Sequence, residues 1–555
     1  MRMGVDVGGT NTDAVLMDGT KVVGWFKTPT TPDVTSGITT AMRTVLEQTR
    51  VPAGEIKAVM IGTTHFTNAV VERKRLMKTA AIRLGLPATE CLPPMVDWPP
   101  ELRNTIGDHK YLVHGGHEFD GREISPLDES EIREVARDIK SKGIRAVAIS
   151  AVFSPVNSSF EERAAEIIQN EIPDVSISLS HEIGRMGLLE RENAAILNAC
   201  LGNLARAIVE SFRKALVEMK IVAPFYLSQN DGTLMSADFA EKYPVLTFAS
   251  GPTNSMRGAA FLSGAKDAMV VDIGGTTSDV GMLLRGFPRE ASVAVNIGGV
   301  RTNFRMPDVY SFGLGGGSIV SQEPLKIGPQ SVGYELITRG LVFGGSVLTA
   351  TDIAVASGLA DIGDPGAVKG LDATLVEQAL DEIQTMVETA VDRMKTSVEP
   401  IPLILVGGGV ILVSRKVAGA SEMVKPEHYP VANAIGAAIA QVGGETDRIF
   451  ALAELPRDEA LAQARQEASD KAKAAGADEE TITIVDVDEV PLSYLPSNAV
   501  RIRVKAVGDL ALGTPTPALP RSTGEGATPT PALPRQQGRE QPPPRPSPAS
   551  RGGSE

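Results

Sequence analysis

The sequence predicts an α/β protein built from two similar domains around a shared cleft, with a small C-terminal α+β unit and a disordered tail. The first reason is a repeat, since residues 6–13 are DVGGTNTD and residues 272–279 are DIGGTTSD. The second is that strand-like apolar runs alternate with segments of helical periodicity, which is the pattern of α/β proteins. The third is length, because 555 residues exceed one ordinary hydrophobic core.

The first predicted domain spans residues 1–185 and alternates strands with helices. Nearly continuous apolar runs at 58–61 and 146–153 are typical of strands that are buried on both faces of a sheet. Apolar residues recur at helical spacing over 36–48 and 130–142, which predicts two helices.

The second predicted domain spans residues 186–450 and repeats the alternation. An apolar run at 403–413 is interrupted by three glycines, so it predicts either two buried strands or a strand followed by a turn. The other elements predicted in this domain are helices at 191–218, 373–395 and 431–442 and strands at 225–227 and 269–273.

A small α+β unit is predicted at 451–510. Residues 458–475 are charged and rich in alanine, which predicts a helix. Apolar runs at 481–487 and 499–507 predict two antiparallel strands that follow this helix.

The composition changes sharply at the C-terminus. The sequence TPTPALPR occurs twice within 511–555, and QPPPRPSPASRGGSE follows it. Proline at this density supports neither a helix nor a strand ladder, and little apolar surface is present to offset the entropy of ordering. We therefore expect residues 511–555 to be disordered, with a polyproline ligand for a partner as the functional alternative.

The composition also excludes several classes of function. A net charge of −14 argues against a general nucleic-acid surface, and an aromatic content of 4% argues against a platform for stacking bases. No run approaches the roughly 20 apolar residues that cross a bilayer, and no signal-peptide pattern precedes Asp6. Cys91 and Cys200 are far apart and lack metal-ligand spacing, as expected in a reducing compartment. We expect a cytoplasmic protein without nucleic-acid or membrane partners.

Each copy of the repeated motif lies between two apolar runs, which predicts a strand, a glycine turn and a second strand. Hairpin turns need positive φ angles and glycine supplies them, so turn geometry alone explains the glycines. It does not explain why an aspartate precedes each glycine pair, why a threonine follows it, or why a second aspartate comes three residues later. The repetition of all these residues indicates a binding site.

The repeated residues suit a phosphate group. Backbone amides approach phosphate oxygens closely where glycine side chains are missing, and threonine hydroxyls add neutral donors. The leading carboxylates, Asp6 and Asp272, can hold Mg²⁺ through its water shell. Two such hairpins facing each other would bind one nucleoside triphosphate from both sides. The predicted nucleotide ligands are Gly8, Gly9, Thr10, Asn11 and Thr12 in the first motif and Gly274, Gly275, Thr276 and Thr277 in the second.

The second aspartate of each motif has two possible roles. Asp13 and Asp279 could be catalytic beside Asp6 and Asp272, by orienting a water molecule or the metal shell. They could equally accept hydrogen bonds from the backbone of their own turns, as aspartates often do.

DVGGTNTD and DIGGTTSD resemble the two phosphate motifs of the ATPase superfamily that contains actin, sugar kinases and heat-shock chaperones. This resemblance implies two duplicated actin-like domains of the ribonuclease H-like class that close over ATP. It also implies a glycine-rich adenosine motif near the end of the second domain. LILVGGGVI fits that motif and places Gly407, Gly408 and Gly409 against the nucleoside.

Other glycine-rich nucleotide motifs do not fit. Walker A is absent, and GLGGGS at 313–318 is not a dinucleotide-binding fingerprint. Within it, Gly315 and Gly316 could form a further anion-binding nest near phosphate or substrate, or a loop with a structural role only.

Six blocks are similar to the ATP-dependent hydantoinase/oxoprolinase family, in particular to its A-type subunit. The opening MGVDVGGTNTDAVLMD is one of them. The others are GTTHFTNAVVERK (62–74), SHEIGRMGLLERENAAILNA (180–199), SQNDGTLMSADFA (228–240), ASGPTNSMRGA (249–259) and DVYSFGLGGGSI (308–319). They follow the order of the family, and the sequence is identified as a member of it.

The resemblance implies an enzyme that uses ATP and Mg²⁺ to activate the oxygen of a cyclic amide, such as 5-oxoproline, a hydantoin or a lactam, for hydrolysis. It also implies a separate B-type partner subunit for ring opening and a homo-oligomeric assembly. Three alternatives remain: a carboxylase-like subunit that activates a ketone, a small-molecule kinase of the same superfamily, and a non-enzymatic ATP-driven assembly protein.

Residues after the predicted strand at 58–61 are candidates for the substrate side. Thr63, Thr64 and Asn68 follow that strand, where α/β sheets present groups to ligands. His65 is better explained as a packed or surface residue. The run Glu190–Glu192 is better explained as the charged surface of a helix.

The chain departs from the family pattern at two places. Residues 328–345 are GPQSVGYELITRGLVFGG and lack the cysteine and prolines usual there, and NDG at 230–232 replaces a glycine pair. Nucleotide binding does not depend on these positions, but they leave the identity of the substrate open.

Overall fold

The structure is a computed structural model of the chain. It describes residues 1–512 except 32–33, 292–293, 305, 454 and 494–497. The tail predicted as disordered, 511–555, lies outside the described residues apart from its first two positions.

Strands and helices alternate along the described chain, as the sequence predicts for an α/β protein. The strands, numbered in chain order, are β1 (Arg2–Val7), β2 (Asn11–Asp18), β3 (Lys21–Pro29), β4 (Ala58–Thr63), β5 (Thr79–Leu86), β6 (His109–His114), β7 (Ala146–Ala151), β8 (Ser176–Leu179), β9 (Phe225–Ser228), β10 (Thr233–Ser236), β11 (Ala268–Ile273), β12 (Ser278–Leu284), β13 (Phe287–Pro288), β14 (Val295–Ile297), β15 (Val300–Thr302), β16 (Val309–Phe312), β17 (Ser318–Gln322), β18 (Leu325–Ser331), β19 (Ile401–Val406), β20 (Ala420–Val424), β21 (Gln441–Ala451), β22 (Thr483–Pro491) and β23 (Ala499–Gly508). The α-helices are α1 (Val34–Thr49), α2 (His65–Val71), α3 (Pro100–Ile106), α4 (Glu129–Ser141), α5 (Ser159–Glu171), α6 (Ser180–Ile183), α7 (Leu188–Cys200), α8 (Gly202–Glu218), α9 (Ala237–Lys242), α10 (Ser250–Ser263), α11 (Leu336–Arg339), α12 (Ala350–Ala356), α13 (Ala373–Met394), α14 (Ala432–Ala438) and α15 (Arg457–Ala474).

The first sheet has nine strands in the order β22-β23-β21-β10-β9-β4-β1-β2-β3. Its centre is the antiparallel hairpin β1–β2, and β4 lies parallel to β1 on the other side. Strand β9 continues the parallel arrangement next to β4. The carboxyl ends of β1, β4 and β9 therefore meet at one edge of the sheet, where α/β proteins bind ligands.

The second sheet repeats this plan. Its order is β13-β12-β11-β19-β20, with β16 also paired to β12. The hairpin β11–β12 is antiparallel, and β19 lies parallel to β11, as β4 does to β1. The predicted duplication of an α/β unit is confirmed, and each unit opens with one copy of the repeated motif.

A third, fully parallel sheet of four strands lies within the first predicted domain. Its order is β6-β5-β7-β8, and α4 and α5 pack against its apolar face. Its strands fill a core of their own with residues such as Ile82, Val147 and Ile149.

Helices α10 and α14 pack on each other between the two duplicated units. A side chain on Gly258 of α10 would come 1.9 Å from the carbonyl oxygen of Ala432, and one on Gly436 of α14 would come 1.9 Å from that of Asn254. Glycine is required at both positions because the two backbones lie in direct contact. Strands of both sheets therefore lie against the point where α10 and α14 cross.

The structure differs from the sequence predictions at several elements. The single helix predicted at 191–218 is two helices, α7 and α8, that meet at Leu201. The helix predicted at 431–442 ends at Ala438, and β21 begins at Gln441. The predicted end is too late because small residues, which suit a tight helix crossing, do not indicate where a helix stops.

The run at 403–413 is a strand followed by a turn, which was one of the two arrangements predicted. Strand β19 is followed by a 3₁₀ turn at Gly408–Leu412. The two C-terminal strands are antiparallel as predicted, and they extend the first sheet through β21. Segments far apart in the chain share that sheet, and the domain boundaries at 185 and 450 stay predictions.

No helix within the described ranges has both the length and the apolar character needed to cross a lipid bilayer.

Candidate nucleotide site

The two copies of the repeated motif form hairpins with the same register. In the first hairpin Asp6 of β1 is opposite Asp13 of β2. In the second, Asp272 of β11 is opposite Asp279 of β12. The two aspartates of each motif are therefore neighbours on one face of their hairpin.

The turns of the two hairpins are closed by the same hydrogen bond. The amide of Gly8 donates to the carbonyl of Asn11 at 3.0 Å, and the amide of Gly274 donates to that of Thr277 at 2.9 Å. A side chain added to Gly9, which is exposed, would meet nothing within 4 Å. The first turn thus presents its backbone to open space, as a phosphate-binding turn must.

The turns lie directly against each other. The hydroxyl oxygens of Thr10 and Thr276 are 3.1 Å apart, although the residues are separated by 266 positions in the chain. A side chain on Gly275 would come 2.5 Å from the methyl carbon of Thr10. The Ser331 hydroxyl donates to that of Thr276 at 3.4 Å. The two motifs therefore face one shared space, as the sequence predicts.

The remaining threonines of the motifs are placed differently. Thr12 is buried, and its hydroxyl oxygen is 3.3 Å from that of Thr30, which in turn donates to the carbonyl of Gly8 at 2.8 Å. Thr277 is exposed. The hydroxyl of Thr12 thus supports the turn from behind.

The carboxylates of Asp6 and Asp13 share a donor. The side-chain amide of Asn433 donates to Oδ2 of both at 2.9 Å. The ammonium group of Lys27 lies 2.6 Å from the carboxylate of Asp13. Burial, followed by the charge of Asp13, raises the pKa of Asp6 to about 7.

The carboxylates of the second hairpin are held by serines. Ser255 donates to Oδ2 of Asp272 at 2.5 Å, and Ser311 donates to Asp279. Burial raises the pKa of Asp272, and it raises that of Asp279 to about 7, with the charge of Asp272 adding to the effect. The predicted carboxylates of the two hairpins thus lie in one region, where their negative charges repel each other.

One glycine in each unit makes room for the leading aspartate. A side chain on Gly62 of β4 would come 2.4 Å from Oδ1 of Asp6. One on Gly407, which follows β19, would come 2.2 Å from Oδ1 of Asp272. Gly407 also has φ of 90°, which favours glycine. The space for each carboxylate therefore exists because a glycine lies in, or directly after, the neighbouring parallel strand.

The donor set around Asp6 fits a Mg²⁺ ion that keeps most of its water. Oδ1 of Asp6 is buried and accepts no hydrogen bond, and the Gly62 gap lies beside it. Among the described residues no three His, Cys, Asp or Glu side chains are grouped to enclose a metal. A Mg²⁺ site needs no such group, because the ion is usually bound by one or two carboxylates, water and substrate phosphates.

The loop around Gly315 and Gly316 supports the second turn. The amides of Gly316 and Gly317 donate to the carbonyls of Gly274 and Gly275 at 3.0 and 2.7 Å. The amide of Gly315 donates to the hydroxyl of Ser318 at 2.8 Å. These amides are used within the protein, and the role of Gly315 and Gly316 as nucleotide ligands stays a prediction.

The three glycines of the adenosine motif have different surroundings. Gly407 donates its amide to the carbonyl of Tyr429 at 2.9 Å. Gly408 is exposed with open space around it, whereas a side chain on Gly409 would come 2.5 Å from Ile273. The motif therefore touches the second hairpin, and its contact with a nucleoside stays a prediction.

The predicted substrate residues lie at the carboxyl end of β4. Thr64 donates to the carbonyl of Val7 at 3.3 Å, and Asn68, which is exposed, donates to the hydroxyl of Thr64 at 3.4 Å. Oγ1 of Thr63 is 2.6 Å from Nδ1 of His65. Thr63 and Thr64 are thus adjacent to the first hairpin.

His65 is packed, as the sequence suggested. Its burial, followed by the charge of Arg75, lowers its pKa to about 4. The imidazole is therefore neutral at physiological pH.

The sequence does not identify several residues that bond to the carboxylates or lie beside them. Asn254 and Ser255 lie in the block ASGPTNSMRGA, which resembles the family but does not by itself indicate a role for either residue. Lys27 is opposite Asp13 in the β2–β3 register, so pairing β3 with β2 would have identified it. Asn433 is far from both motifs in the chain, and no sequence pattern points to it.

The interpretation of Glu190–Glu192 as a helix surface is wrong for two of its residues. Arg191 and Glu192 are buried. Glu192 accepts two hydrogen bonds from Arg83, at 2.7 and 2.5 Å, and one from Ser150 at 2.7 Å. Helix α7 is covered on nearly all sides, so its charges are paired inside the protein.

Comparisons with known proteins agree with this architecture. Residues 2–172 match the family model "Hydantoinase/oxoprolinase N-terminal region", and residues 191–394 match "Hydantoinase/oxoprolinase". The caprolactamase subunit alpha of Pseudomonas jessenii is 29% identical over 417 residues, which are 69% of this chain and 58% of that protein. The acetophenone carboxylase gamma subunit of Aromatoleum aromaticum is 28% identical over 64% of this chain and 52% of its own length.

The fold is also that of a solved relative. The crystal structure of the ATP-dependent caprolactamase from Pseudomonas jessenii superposes with a TM-score of 0.74 and 20% identity, over 95% of this chain and 90% of that chain. This chain spans little more than half the length of the curated relatives it matches. The two family models together cover most of the chain, and the chain belongs to the hydantoinase/oxoprolinase family.

Proposed function

We propose that this chain is the ATP-dependent subunit of a cyclic amidohydrolase. It binds Mg·ATP between the two hairpins and transfers the γ-phosphoryl group to the amide oxygen of a hydantoin, a 5-oxoproline or another lactam. The observation that carries this proposal is the 3.1 Å approach of Thr10 and Thr276 from two hairpins of identical register.

The chemistry explains why ATP is required. An unstrained lactam resists water because amide resonance stabilises it and the ring nitrogen is a poor leaving group. Phosphorylation of the amide oxygen removes that resonance, and water then attacks the carbon. The C–N bond breaks as the ring nitrogen takes up a proton and leaves as the amine, which gives an acyl phosphate. A second water attacks the acyl carbon and releases inorganic phosphate that contains the former amide oxygen. The protein contributes mainly positioning and electrostatic stabilisation.

The described residues divide into three roles in this proposal. The turn residues Gly8, Gly9, Thr10, Gly274, Gly275 and Thr276 bind phosphate, Asp6 and Asp272 hold Mg²⁺, and Thr63, Thr64 and Asn68 face the substrate. Mg²⁺, when bound, offsets the negative charge that develops on the transferred phosphoryl group. Lys27 is the cation paired to Asp13, and its positive charge lies beside the site.

A B-type partner subunit completes the enzyme in this proposal. The caprolactamase relative is a subunit by name, and this chain spans only part of its length. We further propose that the enzyme is a homo-oligomer of such pairs in the cytoplasm. The cysteines Cys91 and Cys200 are both unpaired, which is in keeping with a reducing compartment.

Activation of a ketone for carboxylation is the second candidate. It is favoured by the similarity to the acetophenone carboxylase gamma subunit. Both reactions begin with phosphoryl transfer to a carbonyl-type oxygen, so the same hairpins would serve either one.

The position of the oxygen atom tests the proposal. Cyclic amides labelled with ¹⁸O in the carbonyl are incubated with Mg·ATP, this chain and its partner subunit, and inorganic phosphate is analysed by mass spectrometry. The proposal predicts transfer of the label to phosphate. Amide hydrolysis that proceeds without cleavage of ATP would contradict it, and a stable phosphorylated product would favour a small-molecule kinase.

A further inference from the structure

Two neighbouring residues of α10 reach the leading aspartates of both hairpins. Ser255 donates to Asp272 at 2.5 Å. Asn254 faces the other unit, where its Nδ2 would be 2.5 Å from a side chain on Gly62 and Oδ1 of Asp6 would be 2.4 Å from the same point. One turn of helix therefore contacts the carboxylate sites of both units.

The side chain of Asn254 is fully buried and has no hydrogen-bond partner. Neither Oδ1 nor Nδ2 is bonded, and the adjacent Oδ1 of Asp6 is also without a donor. A buried polar group that lacks a hydrogen-bond partner is destabilising, so a cluster of three such atoms is unfavourable without a further partner. Such a cluster is expected where a ligand supplies the missing interactions.

Ser228 adds a further unpartnered oxygen to this region. Leu227 of β9 is paired with Ile61 of β4, so Ser228 follows beside Gly62. The hydroxyl of Ser228 is buried and makes no hydrogen bond. The polar atoms nearest the Gly62 gap are Oδ1 of Asp6 and Nδ2 of Asn254. Neither amide atom of Asn254 is fixed by a hydrogen bond, so a half-turn of the carboxamide brings its oxygen to the gap. A carboxylate oxygen and an amide oxygen suit a hard divalent cation and its water.

We propose that Asn254 belongs to the cation site of Asp6: its carboxamide, the free Oδ1 of Asp6 and the space left by Gly62 hold a divalent cation with its water shell. The inference rests on the proposed metal role of Asp6, but it does not depend on which substrate the enzyme activates. Asn254 positions the hydrated ion from the side of helix α10.

The test measures the binding of Mn²⁺ alone by electron paramagnetic resonance, with Mg²⁺ as competitor and without nucleotide. Wild-type protein is expected to bind one Mn²⁺ that Mg²⁺ displaces. Asn254→Leu should weaken this binding by about tenfold or more, as for other residues that orient a metal's water or ligands. Because the side chain has no partner, the same variant should melt at the same temperature as wild type, or higher, without metal.

A second variant fills the gap instead of removing the amide. Gly62→Ala should also weaken Mn²⁺ binding, whereas Gly54→Ala, at a glycine with open space around it, should not. Asn198→Leu is the matched control for a partnered buried asparagine, since Asn198 donates to Ser178 and Lys242 at 3.0 and 2.8 Å. It should lower the melting temperature and leave Mn²⁺ affinity unchanged.

Three results would overturn the inference. Wild-type protein that binds no Mn²⁺, or Asn254→Leu protein with wild-type affinity, would remove Asn254 from any cation site. Loss of the metal-free fold in Asn254→Leu would assign the side chain a structural role instead. Failure of lactam turnover with normal Mn²⁺ binding would contradict the proposed function and leave this inference standing.

Discussion

The hydroxyl groups of Thr10 and Thr276 lie 3.1 Å apart at the point where two hairpins of the same design meet. Each threonine follows the glycine pair of its turn, and each turn belongs to a separate sheet. Because the two residues are equivalent within the duplication, a ligand bound beside this pair would meet matching donors from both hairpins.

Removal of either hydroxyl should weaken nucleotide binding to a similar degree. Thr10→Val and Thr276→Val keep the side-chain shape and remove one donor, which is worth about 1.5–3 kcal/mol to a charged acceptor, or about tenfold to a hundredfold in Kd. The measurement is competition between MgADP and a fluorescent ATP analogue. Thr105→Val, at a half-buried hydroxyl of α3 that donates to the carbonyl of Glu101, is the control. Unchanged affinity in both variants would remove the threonines from the site.

The loop behind the second turn should be intolerant of a methyl group. A side chain on Gly315 would come 2.5 Å from the backbone of Gly275 and Thr276. Gly315→Ala should therefore displace the second turn, lower the melting temperature and abolish nucleotide binding. Gly54→Ala meets no neighbour and serves as the control. A Gly315→Ala protein with the stability and affinity of wild type would show that this packing is unimportant.

The stability of the metal-free protein should fall as pH rises through about 7. The pKa values of Asp6 and Asp279 are raised to about 7 in the folded protein. A carboxyl group with a raised folded pKa stabilises the fold below its unfolded pKa of about 4, and this contribution is lost as pH rises through the folded value. Thermal melts from pH 5 to 8.5 measure the effect.

Neutral substitutions at these positions identify the source of that pH dependence. Asp6→Asn and Asp279→Asn should each reduce the loss of stability between pH 5 and 7 and raise the melting temperature at pH 8. The control is Asp267→Asn, at a carboxylate near the surface that accepts from the amide of Arg285. Equal pH slopes in wild type and both variants would contradict the assignment.

The buried ion pair of Arg83 and Glu192 should be costly to break. Neither side chain reaches solvent, so Glu192→Gln or Arg83→Met leaves a charge without its partner and should lower the free energy of unfolding by about 3–5 kcal/mol. The double variant Arg83→Met/Glu192→Leu should recover part of the loss. Urea denaturation provides the measurement, with the exposed pair Lys74–Glu72 as control. Equal effects at the two pairs would contradict a structural role.

The sequence was sufficient to predict the duplicated hairpins because their chemistry is local. Asp6 and Asp13 belong to one strand–turn–strand unit, so eight residues define the register. The same holds for Asp272 and Asp279. The motif does not identify the neighbouring group that holds each carboxylate.

Those neighbours come from distant parts of the chain. Asn433 reaches Asp6 across 427 positions, and Ser255 reaches Asp272 from a helix that precedes its strand. The buried charges of α7 escaped prediction for a similar reason. Periodicity describes one face of a helix, whereas Arg191 and Glu192 are covered by several elements. Long-range packing decided each of these positions.

Binding of MgADP, followed by isothermal titration calorimetry in the wild type, Gly9→Ala and Thr276→Val, tests most directly whether the two hairpins bind a single nucleotide. Gly9→Ala adds a methyl group only to the open space in front of the first turn, so the metal-free fold should be unaffected. The wild type should bind one nucleotide per chain, and a change in either turn should weaken that same site. Two independent nucleotides per chain, or wild-type affinity in both variants, would contradict the claim that the two hairpins bind a single nucleotide.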